Sequence, residues 1–239
     1  MIAKKGRDER RRGNLILETE TTDVRSLRAG KVEVKGEARR EADATKRTRI
    51  SQDEALVTKT TVEEYESDSD SGGSWRTIYE EEECVSFIVD DGTGEVRVDP
   101  THPDARLDLD METVEVGTND EPSDEVRRFI EREDEVGEAS RGSIGPLSYG
   151  DRRRYSEGAV EPGDEVYVLG NAREEDSGWD RRGPVIDEPI DSGDFIISDK
   201  SEEQLAREGQ VKGVLLMFFG GFFAFLGGVF TIIGLIMMV

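Results

Sequence analysis

The last 26 residues of the sequence, 214–239, read VLLMFFGGFFAFLGGVFTIIGLIMMV and carry no charge. As a helix rising ~1.5 Å per residue they reach roughly 39 Å, beyond the ~30 Å hydrocarbon core of a bilayer. Sixteen of them are Leu, Ile, Val or Phe, residues that each favour insertion by about 0.3–0.6 kcal/mol near the bilayer centre. A buried core helix is the plainer alternative, but the length and the lack of any polar face argue against it. A single transmembrane helix is therefore expected, with the lipid bilayer as the first partner. A glycolipid-anchor signal is excluded, since its apolar tail spans only about 10–20 residues. Gly213, Gly220, Gly227 and Gly234 recur every seven residues, and Gly220, Ala224 and Gly228 form a small-xxx-small stripe. Such a stripe lets a second helix approach closely, so helix-helix self-association is expected, although glycine is common in membrane helices generally.

The flanks set an orientation. Ser201-Glu-Glu-Gln204 fits a capping box and predicts a short connecting helix over 201–213. Lys200, Arg207 and Lys212 precede the span, which by the positive-inside rule puts the preceding domain in the cytoplasm of a single-pass cell-membrane protein. Residues 1–13 are basic, with no apolar stretch after Met1, so no secretory signal is read there. They are expected to be a disordered flank.

Composition matters for what the body of the chain can do. Only 61 of the first 210 residues are apolar, which predicts a thin core. The net charge is −23, and all 55 carboxylates precede Val211. A phosphate backbone is bound by Lys and Arg, so this field repels it, which argues against a nucleic-acid partner. Eight Lys stand against 24 Arg. Many carboxylates with few lysines resemble the proteins of salt-loving archaea, in which a Debye length of roughly 3 Å at about 1 M salt lets like charges crowd. Halophily is the corresponding expectation. One Cys (Cys84) and one His (His102) allow no intrachain disulfide and no structural zinc site of Cys and His alone. His102 lies in Thr-His-Pro and reads as a loop residue rather than a triad base. No catalytic, cofactor or metal residue is assigned, and no cofactor is expected.

The body reads as mainly β. KVEVKG at 31–36 alternates and ends in Gly, and ALVTKTTVEEYE at 55–66 is rich in β-branched residues. A loop over 68–73 and a β stretch over 75–79 follow. VSFIV at 85–89 and EVRV at 95–98 flank Asp90-Asp-Gly-Thr-Gly94, a hairpin signal. EVYVLG at 165–170 is entered through Pro162-Gly163-Asp164, and 195–197 supply a last strand. One helix is expected, N-capped by Ser123, with Val126, Phe129 and Ile130 on one face. Segments 137–146 and 171–183 read as loops. This order, with Gly where strands bend, suits a five-stranded OB-like barrel, or a sheet, with inserted loops. The fold class is thus mainly β (α+β). Asp90, Asp91, Thr93 and Glu95 lack the spacing of a calcium loop and read as a turn.

Together LILET at 15–19, KVEVKG at 31–36, FIVDDGTGEVRVDP at 87–100, RYSE at 154–157 and PGDEVYVLG at 162–170 resemble the GIDE-type, beside-a-membrane domain over residues 14–239. The family is best known from a mitochondrial outer-membrane RING-type ubiquitin ligase. Its motif residues map onto Asp90, Asp91, Gly92, Gly94, Arg154, Tyr155, Glu157, Gly163, Tyr167 and Gly170, assigned first to turns and barrel corners. The resemblance places a GIDE-like domain at 14–200. Relatives carry a RING with eight Cys/His ligands, and usually a membrane helix before the position of Asn14. The mitochondrial domain faces the intermembrane space, whereas the charges here favour the cytoplasm. The leading expectation is a non-catalytic binding or scaffold module at a membrane surface, with a protein partner. A component of a ubiquitin-like ligase system that relies on a separate RING partner is the second, and an OB-type nucleic-acid binder the third.

Overall fold

The computed structural model describes residues 21–66, 73–103, 105–118, 120–137, 141–144, 147–150, 152–174, 183–189 and 195–200. The basic flank at 1–13, the connecting helix at 201–213 and the span at 214–239, with Gly220, Ala224 and Gly228, lie outside them. Among the described residues no helix is long and apolar enough to cross a membrane. Thr22–Asp199 form one compact unit. The other unit, Met1–Thr21 with Lys200–Val239, falls almost wholly outside the described residues.

In chain order the strands begin with β1 (Gly30–Arg40), β2 (Lys46–Arg47), β3 (Glu54–Ala55), β4 (Val57–Glu66), β5 (Ser74–Cys84), β6 (Phe87–Asp90), β7 (Glu95–Val98), β8 (Ala105–Leu107) and β9 (Glu112–Val116). The helix α1 (Asp124–Arg132) follows, then β10 (Arg141–Ile144), β11 (Leu147–Gly150), β12 (Arg153–Val160), β13 (Glu165–Glu174), β14 (Pro184–Glu188) and β15 (Phe195–Ser198).

Five strands close a barrel in the order β1-β6-β7-β14-β13, with β13 returning to β1. All its pairs are antiparallel except β7 with β14. β1 serves two neighbours, one along each edge. Gly30 to Glu37 pair with β13, and Glu37 to Arg40 pair with β6. Near where the two pairings meet, Gly36 has no room for a side chain, since a Cβ would stand 2.4 Å from the Asp90 carbonyl oxygen. β13 divides its other edge: Tyr167 to Leu169 pair with β15, and Asn171 to Glu174 pair with β14 across a bulge. Gly170 sits at that division, with Ile186 Cγ2 2.7 Å and Phe195 Cδ2 3.0 Å from where its Cβ would be. Val32, Val34, Ala38, Val89, Val96, Val98, Val166, Val168, Ile186 and Phe195 belong to one buried cluster, which is the barrel's core.

A second sheet, antiparallel in the order β5-β4-β12-β9, is assembled from two insertions into the barrel's path. One lies between β1 and β6, the other between β8 and β13. Helix α1 covers one face. Its N-cap Ser123 accepts from the Val126 N–H (3.3 Å), and Asp124 and Glu125 lie in its first turn, where carboxylates suit the helix dipole. Val126 and Phe129 pack with Val62, Tyr79, Val116, Val136 and Tyr155, and Ile130 is partly buried against them.

Several expectations change. Gly36 does not end its strand but lies within it. Residues 141–144 pair with 147–150 rather than looping, and β13 runs on through Asn171 to Glu174 because β14 needs an edge there. Local composition underrates both, since strand formation follows available pairing more than residue preference. The string RYSE is not a turn. Arg154, Tyr155 and Glu157 lie within β12, between β4 and β9.

Candidate interaction surface

The motif residues divide among three places. At one barrel end Asp90, Asp91, Gly92 and Gly94 make the β6–β7 hairpin. Gly92 has φ +79°, a left-handed turn conformation that glycine adopts at no steric cost. Its N–H donates to Asp90 Oδ1 (2.7 Å). Asp91 does more. Its carboxylate accepts from the N–H groups of Val24 (2.8 Å), Thr93 (2.8 Å) and Gly94 (3.0 Å) and from the Thr93 hydroxyl (2.8 Å). Burial pushes its pKa up, but these donors outweigh that and hold it below the ordinary value. The hairpin thereby holds the turn at Val24–Ser26, whose Val24 belongs to the barrel core.

Gly163, at φ +104°, turns the chain from β12 into β13, and its N–H donates to the Ala38 carbonyl (2.8 Å). Tyr167 and Gly170 lie along β13. The Tyr167 hydroxyl donates to the buried Glu33 carboxylate (3.0 Å).

The third place is β12. Neighbouring residues of a strand face opposite sides, and here the sides do different work. Toward α1, Tyr155 meets Phe129 edge-on at 6.3 Å. Arg153 pairs with Glu64 (2.8 Å) and donates to the carbonyls of Val136 (3.2 Å) and Gly137 (2.9 Å). Glu157 accepts from the N–H groups of Ile50 (2.7 Å) and Ser51 (3.0 Å) and from the Ser51 hydroxyl (2.7 Å), pinning the loop that carries them.

On the opposite face Arg154 stacks over Trp75, its guanidinium carbon 3.8 Å from the ring centroid. Arg152 lies over Tyr65 at 5.0 Å and over Trp75 at 5.6 Å. The two rings meet edge-on at 5.2 Å, set opposite each other by the Tyr65–Trp75 register of β4 and β5. Glu115 of β9 accepts from Arg152 and, at 3.1 Å, from Arg154. Hydrogen bonds from Arg152 and Arg154 lower the Glu115 pKa, and the same bond raises that of Arg152. Tyr65, Trp75, Arg152 and Glu115 were not singled out as site residues in the sequence. The signal for them is Arg at 152 and 154, two apart, with Tyr65 and Trp75 flanking a Ser/Asp/Gly loop as a hairpin would place them.

Chemically this cluster presents planar groups of the kind that dominate binding hot spots, and it aligns no nucleophile with a base. Burial raises the Cys84 thiol pKa, with Asp99 adding to the effect, and the thiol donates to the Pro100 carbonyl. Its thiolate is therefore disfavoured. His102 lies in the segment between β7 and β8. Among the described residues no group of three His, Cys, Asp or Glu is arranged to hold a metal.

Comparison with known families finds one model, described as GIDE, E3 Ubiquitin ligase, matching residues 57–234. The match covers β4 through β15; the strings at 15–19 and 31–36 lie before it. Neither the curated proteins nor the solved structures give a significant match.

Proposed function

The chain belongs to the GIDE family, and on that premise we propose that it is a membrane-tethered, non-catalytic binding module of a ubiquitin-like ligase system. The family match makes the domain E3-ubiquitin-ligase-related; its role in such a system is inferred from chemistry. A RING needs eight Cys or His ligands for its two zinc ions, and the 239 residues hold one of each. These residues alone therefore cannot form a RING. The observation that carries the binding reading is the face where Arg152 and Arg154 lie over Tyr65 and Trp75. Aromatic and guanidinium groups give large contact area with few rotatable bonds, as partner recognition requires. The barrel's circuit, five strands with one parallel pair, supports an OB kind of fold. The charge of −23 sets that fold apart from nucleic-acid binding. The apolar run at 214–239 is the tether, and the basic residues before it favour a cytoplasmic domain. The carboxylate excess supports work in concentrated salt.

The test is reconstitution. Purified full-length protein, combined with activating enzyme, conjugating enzyme and the ubiquitin-like modifier at working salt, is expected to form no conjugate. Adding a RING-bearing partner is expected to restore product, and Trp75→Ala with Arg154→Ala to reduce it severalfold without changing the fold. Product from the chain alone overturns the reading. So does recovery of the chain in the supernatant after detergent-free lysis and high-speed centrifugation.

A further inference from the structure

We propose that the free edge of β9 pairs antiparallel with β9 of a second copy, centred on Val114, to join two four-stranded sheets into one of eight strands. Among the described residues β9 ends its sheet and has a hydrogen-bonded neighbour only in β12. The direction of its backbone groups follows from the ladder. The Tyr65 N–H donates to the Arg152 carbonyl (2.9 Å), so Arg152, Arg154 and Ser156 turn their backbone groups toward β4. Arg153, Tyr155 and Glu157, alternating with them, turn theirs toward β9, where they meet Val116, Val114 and Glu112. Thr113 and Glu115 thus point N–H and C=O outward. Gly117, next in that series, also points outward, and its N–H is taken by Asp120 (3.2 Å). The open donors end there.

A sheet edge with unpaired backbone groups is a template for another strand, and proteins usually defend it with Lys, Pro or a bulge. β9, with the sequence Glu-Thr-Val-Glu-Val, has no Lys, Pro or bulge; its charges are Glu112 and Glu115, the latter taken by Arg152 and Arg154. The other edge of the same sheet, β5, carries Glu80 to Glu83 and a bulge. Val114 is 48% exposed, the one exposed large hydrophobic among the described residues.

The occupant follows from self-complementarity. Centring an antiparallel pair on Val114 sets Thr113 opposite the second copy's Glu115, and Glu112 opposite its Val116. No two like charges face each other. The two Thr113–Glu115 pairs exchange both backbone bonds, which makes four between the copies. The Val114 pair falls at a non-hydrogen-bonded position, where opposite side chains stand closest. Glu115, the only carboxylate in an outward-turned pair, is already matched by Arg152 and Arg154. Five residues a side are fewer than a standard interface uses, so association is weak, depends on concentration and strengthens with salt as the charges are screened. The inference rests on the fold and not on the ligase-related reading.

Two measurements on the full-length protein test it. In a Cys84→Ser background, Val114→Cys is expected to give a disulfide-linked dimer under mild oxidation at least tenfold faster than Glu112→Cys, whose own copy lies out of reach in this register. Sedimentation velocity in detergent is expected to show a salt-enhanced dimer that Thr113→Pro abolishes. Proline at 113 removes an outward N–H and leaves the ladder to β12 intact, and an unchanged circular dichroism spectrum checks that the fold survives. A wild type that stays monomeric, a dimer insensitive to Thr113→Pro, or equal crosslinking from positions 112 and 114 each overturns the proposal.

Discussion

Asp91 offers the sharpest test of how this barrel is held shut. Its carboxylate receives three backbone N–H groups and one hydroxyl. Through Val24 it ties the turn at Val24–Ser26 to the β6–β7 hairpin. In Asp91→Ala the exposed Thr93 groups regain water at small net cost. The Val24 and Gly94 N–H groups are partly buried and recover less. A hydrogen bond to a charged group contributes about 1.5–3 kcal/mol, so these two, taken at the low end and discounted for partial exposure, predict a loss of about 2–3 kcal/mol. Asp91→Asn keeps an acceptor oxygen and is expected to cost about 1 kcal/mol. The pH dependence has a definite sign. A carboxyl whose folded pKa is depressed stabilises the fold fully above its unfolded value of about 3.9 and loses that contribution as pH falls through the folded pKa. Denaturant unfolding of the full-length chain, followed by far-ultraviolet circular dichroism, should therefore show a constant gap between wild type and Asp91→Ala from about pH 5 to 8. The gap should narrow below about pH 4. A gap under about 0.5 kcal/mol at neutral pH, or one that persists undiminished at acid pH, refutes the reasoning.

Two further substitutions probe separate parts of the same unit. Gly36→Ala brings a methyl group within 2.4 Å of the Asp90 carbonyl oxygen and 2.9 Å of the Asp91 nitrogen; both are backbone atoms with little room to give. A loss of about 2–4 kcal/mol in the same unfolding assay is expected, and a near-neutral result refutes the close approach. Glu157→Ala releases the Ile50 and Ser51 N–H groups, so trypsin should cut after Arg47 or Arg49 at least tenfold faster in the folded protein, since local opening sets that rate. An unchanged cutting pattern refutes the pinning.

What the sequence made legible follows physical contrast. The DDGTG turn, the Pro162-Gly-Asp turn, the Ser123 cap and the VYVL run each combine a backbone demand with a residue that meets it locally, and each lies where expected. β12 was illegible for the opposite reason. Arg153, Arg154 and Glu157 read as a charged loop in isolation. Their partners Glu64, Trp75 and the Ile50 and Ser51 amides are distant in sequence, and only the folded register brings them together. β9 and β14 were missed likewise, as short strands whose identity rests on the strand beside them. The candidate surface inherits this problem, since Tyr65, Trp75, Arg152 and Glu115 come from four separate segments.

The charge of −23 looks hostile to a compact fold, yet much of it is used locally. Asp91 and Glu157 accept backbone N–H groups that would otherwise turn to water. Asp164 does the same for Glu161, Asp199 for Asp110 and Asp99 for Thr101. Arginine supplies most of the positive partners, and its planar fork lets one residue serve several acceptors, as Arg153 does with Glu64, Val136 and Gly137. Even the Glu80–Glu83 run of β5 is matched in this way, by Lys46, Arg49 and Lys59. Beside β9 two arginines share Glu115. The same pairing that lets an acidic chain fold leaves Glu115, on the proposed edge, already matched by Arg152 and Arg154.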